Sequence, residues 1–189
     1  MEDSAFYTAP ELEARRSLHE AIGRFVVTFE LVVTELRSAC RLMLERSGLG
    51  LKNQPLANIV LAQVGVAELT DLAEAMYREF RSDDYEGARA LESILKRIDM
   101  LRRNRNDLIH SAWTLGLPDA QGGIEKIAHS FTFKRDRKKG QTVRKMALRL
   151  AKIDKFTAEA KKLQVYAIRF CQSVNQPDLS LADQLGKPV

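Results

Sequence analysis

The stretch Leu101-Arg102-Arg103-Asn104-Arg105-Asn106-Asp107-Leu108-Ile109-His110 gathers the densest set of groups able to do chemistry. The apolar residues before it, Leu91, Ile94, Ile98 and Leu101, repeat at helical spacing, so the stretch is read as the end of a helix. Ile98 marks the core direction, and Arg105, two turns on, returns within about 20° of it. A guanidinium therefore stands where the pattern expects an apolar side chain, and burying such a charge without a partner is costly. Arg105 must face an acid, a shared polar cleft, a symmetry mate or an anionic ligand. Arg102, Asn106 and His110 follow one another every fourth residue along an adjacent edge, so Asn106 can orient His110.

These groups suit RNA cleavage without a metal. A histidine near neutral pKa can take the proton of a ribose 2′-hydroxyl or give one to the leaving oxygen. An arginine can stabilise the charge that builds on the phosphate. The products are then a 2′,3′-cyclic phosphate and a 5′-hydroxyl. One histidine cannot readily be both base and acid in one step, whereas a two-fold dimer places two copies of each group in one cleft. A plainer pattern is also present. Arg103 lies four residues from both Asp99 and Asp107, the spacing of a salt-bridged helix face. A histidine at a helix end also serves as a partner of the helix dipole. The same Arg105-Asn106-His110 cluster then acts structurally, at the interface of a non-catalytic helical module.

The run Arg105-Asn106-Asp107-Leu108-Ile109-His110 resembles the signature of the HEPN superfamily, an arginine followed four to six residues later by a histidine, often with a polar residue directly after the arginine. The resemblance implies a four-helix up-and-down bundle with the motif at a helix end. It also implies homodimers with the two motifs facing each other, and metal-independent RNase activity in toxin–antitoxin, phage-defence or stress systems, so that an antitoxin or other regulatory protein is an expected partner. Arg105, Asn106 and His110 are the positions that carry over as catalytic. Glu30 resembles an acidic residue of some members, with Glu35 as the competing choice. In one branch a tyrosine two residues after the histidine is a modification target; here that position is Ala112, and Trp113 follows. Some members have lost nuclease activity.

The elements that must position this motif are mostly helical. Thr8-Ala9-Pro10-Glu11 reads as a helix start with a capping box, and the stripe from Ile22 through Phe25, Phe29, Val33, Leu36 and Cys40 to Met43 predicts a helix over 10–46, ended by Gly48 and Gly50. Two shorter helices are expected at 54–64 and 67–81. A third long helix should open at Asp83, with Glu86 three residues later, and reach His110. Gly116, Pro118, Gly122 and Gly123 mark a loop. The alternation His129-Ser130-Phe131-Thr132-Phe133 suits a strand within 127–134, and 142–150 can return as its partner in a β-hairpin. Asp154 should cap a last helix whose stripe runs Phe156, Ala160, Leu163, Ala167, Phe170, Val174. The expected fold is mainly α, an up-and-down bundle of four or five helices with a small β-hairpin insertion before the last helix. It forms one domain over 1–176, with the loop and insertion at about 114–150 and a mobile polar tail over 177–189.

Charge is uneven along this chain. Residues 1–93 hold 10 Lys/Arg against 16 Asp/Glu, whereas residues 134–155 hold 10 Lys/Arg against Asp136 and Asp154. A block this basic attracts polyanions in a salt-dependent way, so Lys134, Arg135, Arg137, Lys138, Lys139, Arg144 and Lys145 are candidate RNA contacts, with Arg102 beside the motif. A solvated loop with no ligand is the alternative. Phe131 and Phe133 precede the block and no aromatic lies inside it, so stacking on single-stranded bases is weakly signalled.

The remaining composition narrows the classes. At 189 residues, 45% hydrophobic and 29% charged, the chain can build one sizeable core. Cys40 and Cys171 are far apart in sequence and in no C-x-x-C pair, which excludes a disulfide scaffold and fits a reduced, cytoplasmic setting. His19 and His129 have no partner at metal-ligand spacing, so neither a metal nor another cofactor is expected. The start Met1-Glu2-Asp3-Ser4 lacks the basic and apolar regions of a secretory signal, and no apolar run is long enough for a bilayer. No Gly-rich phosphate loop and no G-x-S-x-G is present. Trp113 is expected to pack at the helix end and fix it.

Overall fold

The computed structural model describes residues 8–49, 54–115, 128–136, 140–176 and 178–186. The order of elements is α1 (Ala9–Leu44), a π-helical turn (Glu45–Leu49), α2 (Gln54–Gln63), α3 (Val66–Phe80), α4 (Tyr85–Ile109), β1 (Ala112–Leu115), β2 (Ala128–Asp136), β3 (Gly140–Leu148), α5 (Leu150–Asn175) and α6 (Leu181–Gly186). The chain is mainly α-helical and divides into two compact units, one formed by residues 1–27 and 104–158, the other by 28–103 and 159–189.

In the first unit the start of α1, the end of α4, the sheet and the start of α5 come together. Leu18, Ala21 and Phe25 of α1, Leu108 of α4 and Ile153 of α5 are buried. The Phe25 and Phe156 rings meet at 5.6 Å and 44°. Burying each such Phe or Leu stabilises by ~1.5–3 kcal/mol. At the N-terminus of α1 the Thr8 amide donates to Glu11 Oε2 at 2.6 Å and the Thr8 hydroxyl at 2.8 Å. Those bonds hold the Glu11 carboxyl below its usual pKa.

In the second unit, the rest of α1, α4 and α5 with α2, α3 and α6 forms a helical bundle. Phe29, Val33, Leu36, Cys40 and Met43 of α1 are buried, as are Leu91, Ile94, Ile98 and Leu101 of α4 and Ala160, Leu163, Ala167, Phe170 and Val174 of α5. These are the stripes read from the spacing. The Tyr77 ring packs edge-on against Phe170 at 5.5 Å. Gly48 takes φ 102°, a left-handed conformation that stops the helix.

Four expectations need correction. The chain is not a bundle of four or five helices with a β-hairpin insertion. Among the described residues there are six α-helices, and the strands are not a two-stranded hairpin but an antiparallel meander in the order β1-β2-β3, with Ala112 opposite Phe131 and Ala128 opposite Leu148. β1 has four residues directly after a helix, too few for alternation to show. The loop glycines and Pro118 lie outside the described residues. The start of α4 is capped by Asp84 rather than Asp83: Asp84 Oδ1 accepts the Gly87 amide at 2.9 Å. Gly87 fits because a Cβ there would collide with that carboxylate. α5 begins at Leu150, a turn before Asp154, because Leu150, Ala151 and Lys152 are good helix formers; Asp154 instead meets Arg24 at 3.5 Å. Within the segment expected to be a mobile tail, Leu181–Gly186 form α6, whose Leu181, Gln184 and Leu185 are buried.

Candidate functional site

The last turns of α4 position the motif, and the helix ends without a glycine. Its final carbonyls, which have no partner within a helix, are met by three residues that follow. The His110 amide donates to the Asn106 carbonyl at 3.0 Å. The Ser111 hydroxyl donates to the Asp107 carbonyl. The Trp113 indole N–H donates to the Leu108 carbonyl at 2.8 Å, so Trp113 fixes the helix end as its place in the sequence suggests.

On this scaffold Leu108 is buried, Arg105, Asn106 and Asp107 are half-buried, and Ile109 and His110 are exposed. Arg105 Nη1 donates to Asn106 Oδ1 at 3.1 Å, and Arg105 Nε lies beneath the surface. The half-buried guanidinium agrees with the core-side direction expected at position 105. A cation near the C-terminal end of a helix also gains from the dipole. Asn106 turns its carboxamide oxygen to Arg105.

Arg102 and Arg103 are held elsewhere. Arg102 donates through Nε and Nη2 to Asp99 Oδ1, both at 2.7 Å, and Arg103 Nη2 reaches Asp99 Oδ2 at 2.7 Å. Partial burial acts to raise the Asp99 pKa, but the hydrogen bonds from the two arginines outweigh it and hold the carboxyl below its usual range. Both arginines line a groove of about 600 Å³ between α3 and α4, which also presents Asp71, Glu74 and Glu92. Those carboxylates oppose a phosphate backbone there.

The candidate basic contacts divide by register. Lys134 stands opposite Thr142 and Arg135 opposite Gln141; Arg144 stands opposite Thr132 and Lys145 opposite Phe131. Strand alternation puts positions 134 and 144 on one face of the sheet and 135 and 145 on the other. Arg137, Lys138 and Lys139 lie outside the described residues. Glu30 is half-buried on α1, its carbonyl accepting the Thr34 hydroxyl at 2.9 Å, and the Glu35 carbonyl faces the Cys171 thiol at 3.2 Å. His19 is exposed on α1, and His129 pairs with Thr114 and Ala147 in the sheet. Among the described residues no three His, Cys, Asp or Glu converge as a metal site, and no helix is long and apolar enough to cross a membrane.

Two features were not foreseen from the sequence. Tyr77, Asp84 and Leu181 join three elements: the Tyr77 hydroxyl donates to Asp84 Oδ2 at 2.7 Å, and the Leu181 amide points to the same oxygen at 3.4 Å. Burial and the Asp84 carboxylate push the Tyr77 phenol up. The other is a basic groove between α1 and α2. Its only trace in the sequence is Arg37 and Arg41, one turn apart. No protein-family model, curated protein or solved structure matches this chain.

Proposed function

We propose that this protein is a metal-independent endoribonuclease of HEPN type that acts as a homodimer in the cytoplasm, in toxin–antitoxin, phage-defence or stress response, with an antitoxin or regulatory protein as a further partner. The observation that carries it is the end of α4, where a half-buried Arg105 guanidinium is braced by Asn106 and an exposed His110 follows on a helix end capped by Ser111 and Trp113. Bracing lowers the cost of holding the guanidinium where charge develops on a phosphate. Exposure leaves the imidazole accessible to a ribose hydroxyl and to a second subunit.

In this mechanism His110 of one subunit removes the 2′-hydroxyl proton, and the freed oxygen attacks the adjacent phosphorus. The second His110 protonates the departing 5′-oxygen. Arg105 stabilises the charge on the phosphoryl oxygens. Lys134, Arg135, Arg144 and Lys145 draw in the RNA, with Arg137, Lys138 and Lys139 of the same basic segment of the sequence. Arg102 is assigned a weaker part, because Asp99 already takes its guanidinium.

A second reading is favoured by the Arg105–Asn106 bond, made between neighbouring residues of one helix. The cluster then serves as a structural network in a non-catalytic dimerisation module. RNA incubated in EDTA with wild type and His110→Ala separates the two. Cleavage by wild type alone supports the nuclease; no cleavage by either, with Arg105→Ala lowering the melting temperature and loosening the dimer, supports the module.

A further inference from the structure

We propose that the groove between α1 and α2 is a docking surface for an acidic amphipathic helix of a partner protein. It draws on residues separate from the RNA-cleavage motif and does not depend on that activity. A cavity of about 310 Å³ is lined by Arg37, Ser38 and Arg41 of α1 and by Asn58, Leu61 and Ala62 of α2. Among the described residues no carboxylate lines it. Arg41 is already paired with Glu45 at 2.5 Å. Arg37 makes no ion pair among the described residues. Its Nη2 reaches the Val64 carbonyl at a long 3.3 Å, and its Nε is buried with no hydrogen-bond partner. A buried donor left unmatched is costly, and more so on a charged group. That nitrogen is out of an incoming group's reach, but the Arg37 Nη nitrogens at the groove offer a carboxylate a fork of two donors.

The flanks of the groove are aliphatic. Leu31 lies one turn before Thr34, which also lines the cavity, and is 45% exposed; Ile59 lies one turn before Ala62 and is 63% exposed. Leu56 and Val60, also exposed, lie on the other side of α2 and take no part in the groove. Meanwhile α2 buries Ala57 and Leu61 on its inner side. A helix apolar on both sides is normally covered on both. Free phosphate or RNA makes no use of aliphatic walls, and a bilayer surface calls for more cations than one unpaired arginine. An acid to meet Arg37 and aliphatic anchors to cover Leu31 and Ile59 describe a helix laid in a groove.

The probe is a fluorescein-labelled helical peptide of ~18 residues, long enough for leucine anchors at i, i+3, i+4 and i+7 flanked by glutamates; its counterpart has lysine for every glutamate. Fluorescence anisotropy should show saturable binding of the glutamate peptide to the wild-type chain and none of the lysine peptide. Arg37→Gln and Ile59→Ser should each weaken binding at least ~tenfold, and Arg37→Lys should fall between, keeping charge but losing the fork. Absent binding, equal binding of both peptides, or an unchanged affinity in Arg37→Gln overturns the proposal. Self-association abolished by Ile59→Ser also overturns it, and assigns the groove to a second copy of the chain.

Discussion

The Trp113 indole nitrogen donates to the Leu108 carbonyl at 2.8 Å, tying β1 back onto the last turn of α4 across the two residues, Ile109 and His110, that the helix leaves exposed. Trp113→Phe keeps most of the ring but removes this donor. The expected loss is about 1 kcal/mol, a drop in melting temperature of about 2–4 °C. Differential scanning calorimetry checks it; an unchanged melting temperature means the bond does not hold the helix end.

Arg105 is braced by Asn106, so its truncation should separate activity from stability. Arg105→Ala is expected to reduce RNA cleavage by ~10²-fold or more, the typical effect of removing a group that meets developing charge. Stability should fall by only about 1.5–3 kcal/mol, the size of a charged hydrogen bond. Initial cleavage rates and urea unfolding of the same sample give both values. A large stability loss with no change in rate assigns Arg105 to the architecture alone.

Asp84 ties the start of α4 to Tyr77 and to α6, and its carboxylate makes stability sensitive to acid. Partial burial acts to raise its pKa. The hydrogen bonds from Tyr77, Gly87 and Leu181 outweigh this and lower it. A carboxyl depressed in the folded state stabilises fully above its unfolded pKa of about 3.9, and the contribution is lost as pH falls through the folded value. Asp84→Asn should therefore lose about 1–3 kcal/mol near pH 7, and the deficit should shrink below about pH 4, where the wild-type carboxyl also takes up a proton. Unfolding in urea at pH 7 and pH 3 tests the sign; a deficit that grows in acid contradicts it.

Much of this architecture is legible in the amino acids because burial follows period. Leu91, Ile94, Ile98 and Leu101 are buried where a helical repeat puts them, and Arg105 is half-buried where the same repeat sets a charge at the core. Elements of two periods or fewer were not legible. β1 has four residues and α6 has six, too short for alternation or a helical stripe to stand out. The choice between Asp83 and Asp84 as cap was beyond spacing: Glu86 stands three positions after Asp83, yet it is the Asp84 carboxylate that accepts an amide of the first turn, that of Gly87. Arg102 shows the limit of faces read from spacing. It shares an edge with Asn106 and His110, yet Asp99 one turn back takes its guanidinium. The Arg37 groove depends on a helix packed beside α1, and no local pattern encodes that.

The two cysteines should be inert thiols in the native protein. Burial is the main cause that pushes both Cys40 and Cys171 up to about 12, and the Cys171 S–H points to the Glu35 carbonyl. At pH 8 about one thiol in ten thousand is then ionised, and the thiolate is the reactive form. A disulfide-exchange dye at pH 8 should label neither site within minutes and both in denaturant. Fast labelling of the folded chain contradicts this burial.

In the proposed mechanism His110 and Arg105 act at a ribose 2′-hydroxyl. The most direct measurement is the rate and end-group chemistry of cleavage in EDTA, on RNA and on the same RNA carrying 2′-O-methyl groups throughout, with wild type and His110→Ala. Wild type should cut the unmodified RNA to 2′,3′-cyclic phosphate and 5′-hydroxyl ends and leave the methylated RNA intact, and His110→Ala should lose this activity. Cleavage of the methylated RNA, equal cleavage by both proteins, or no cleavage of unmodified RNA by pure wild type contradicts it.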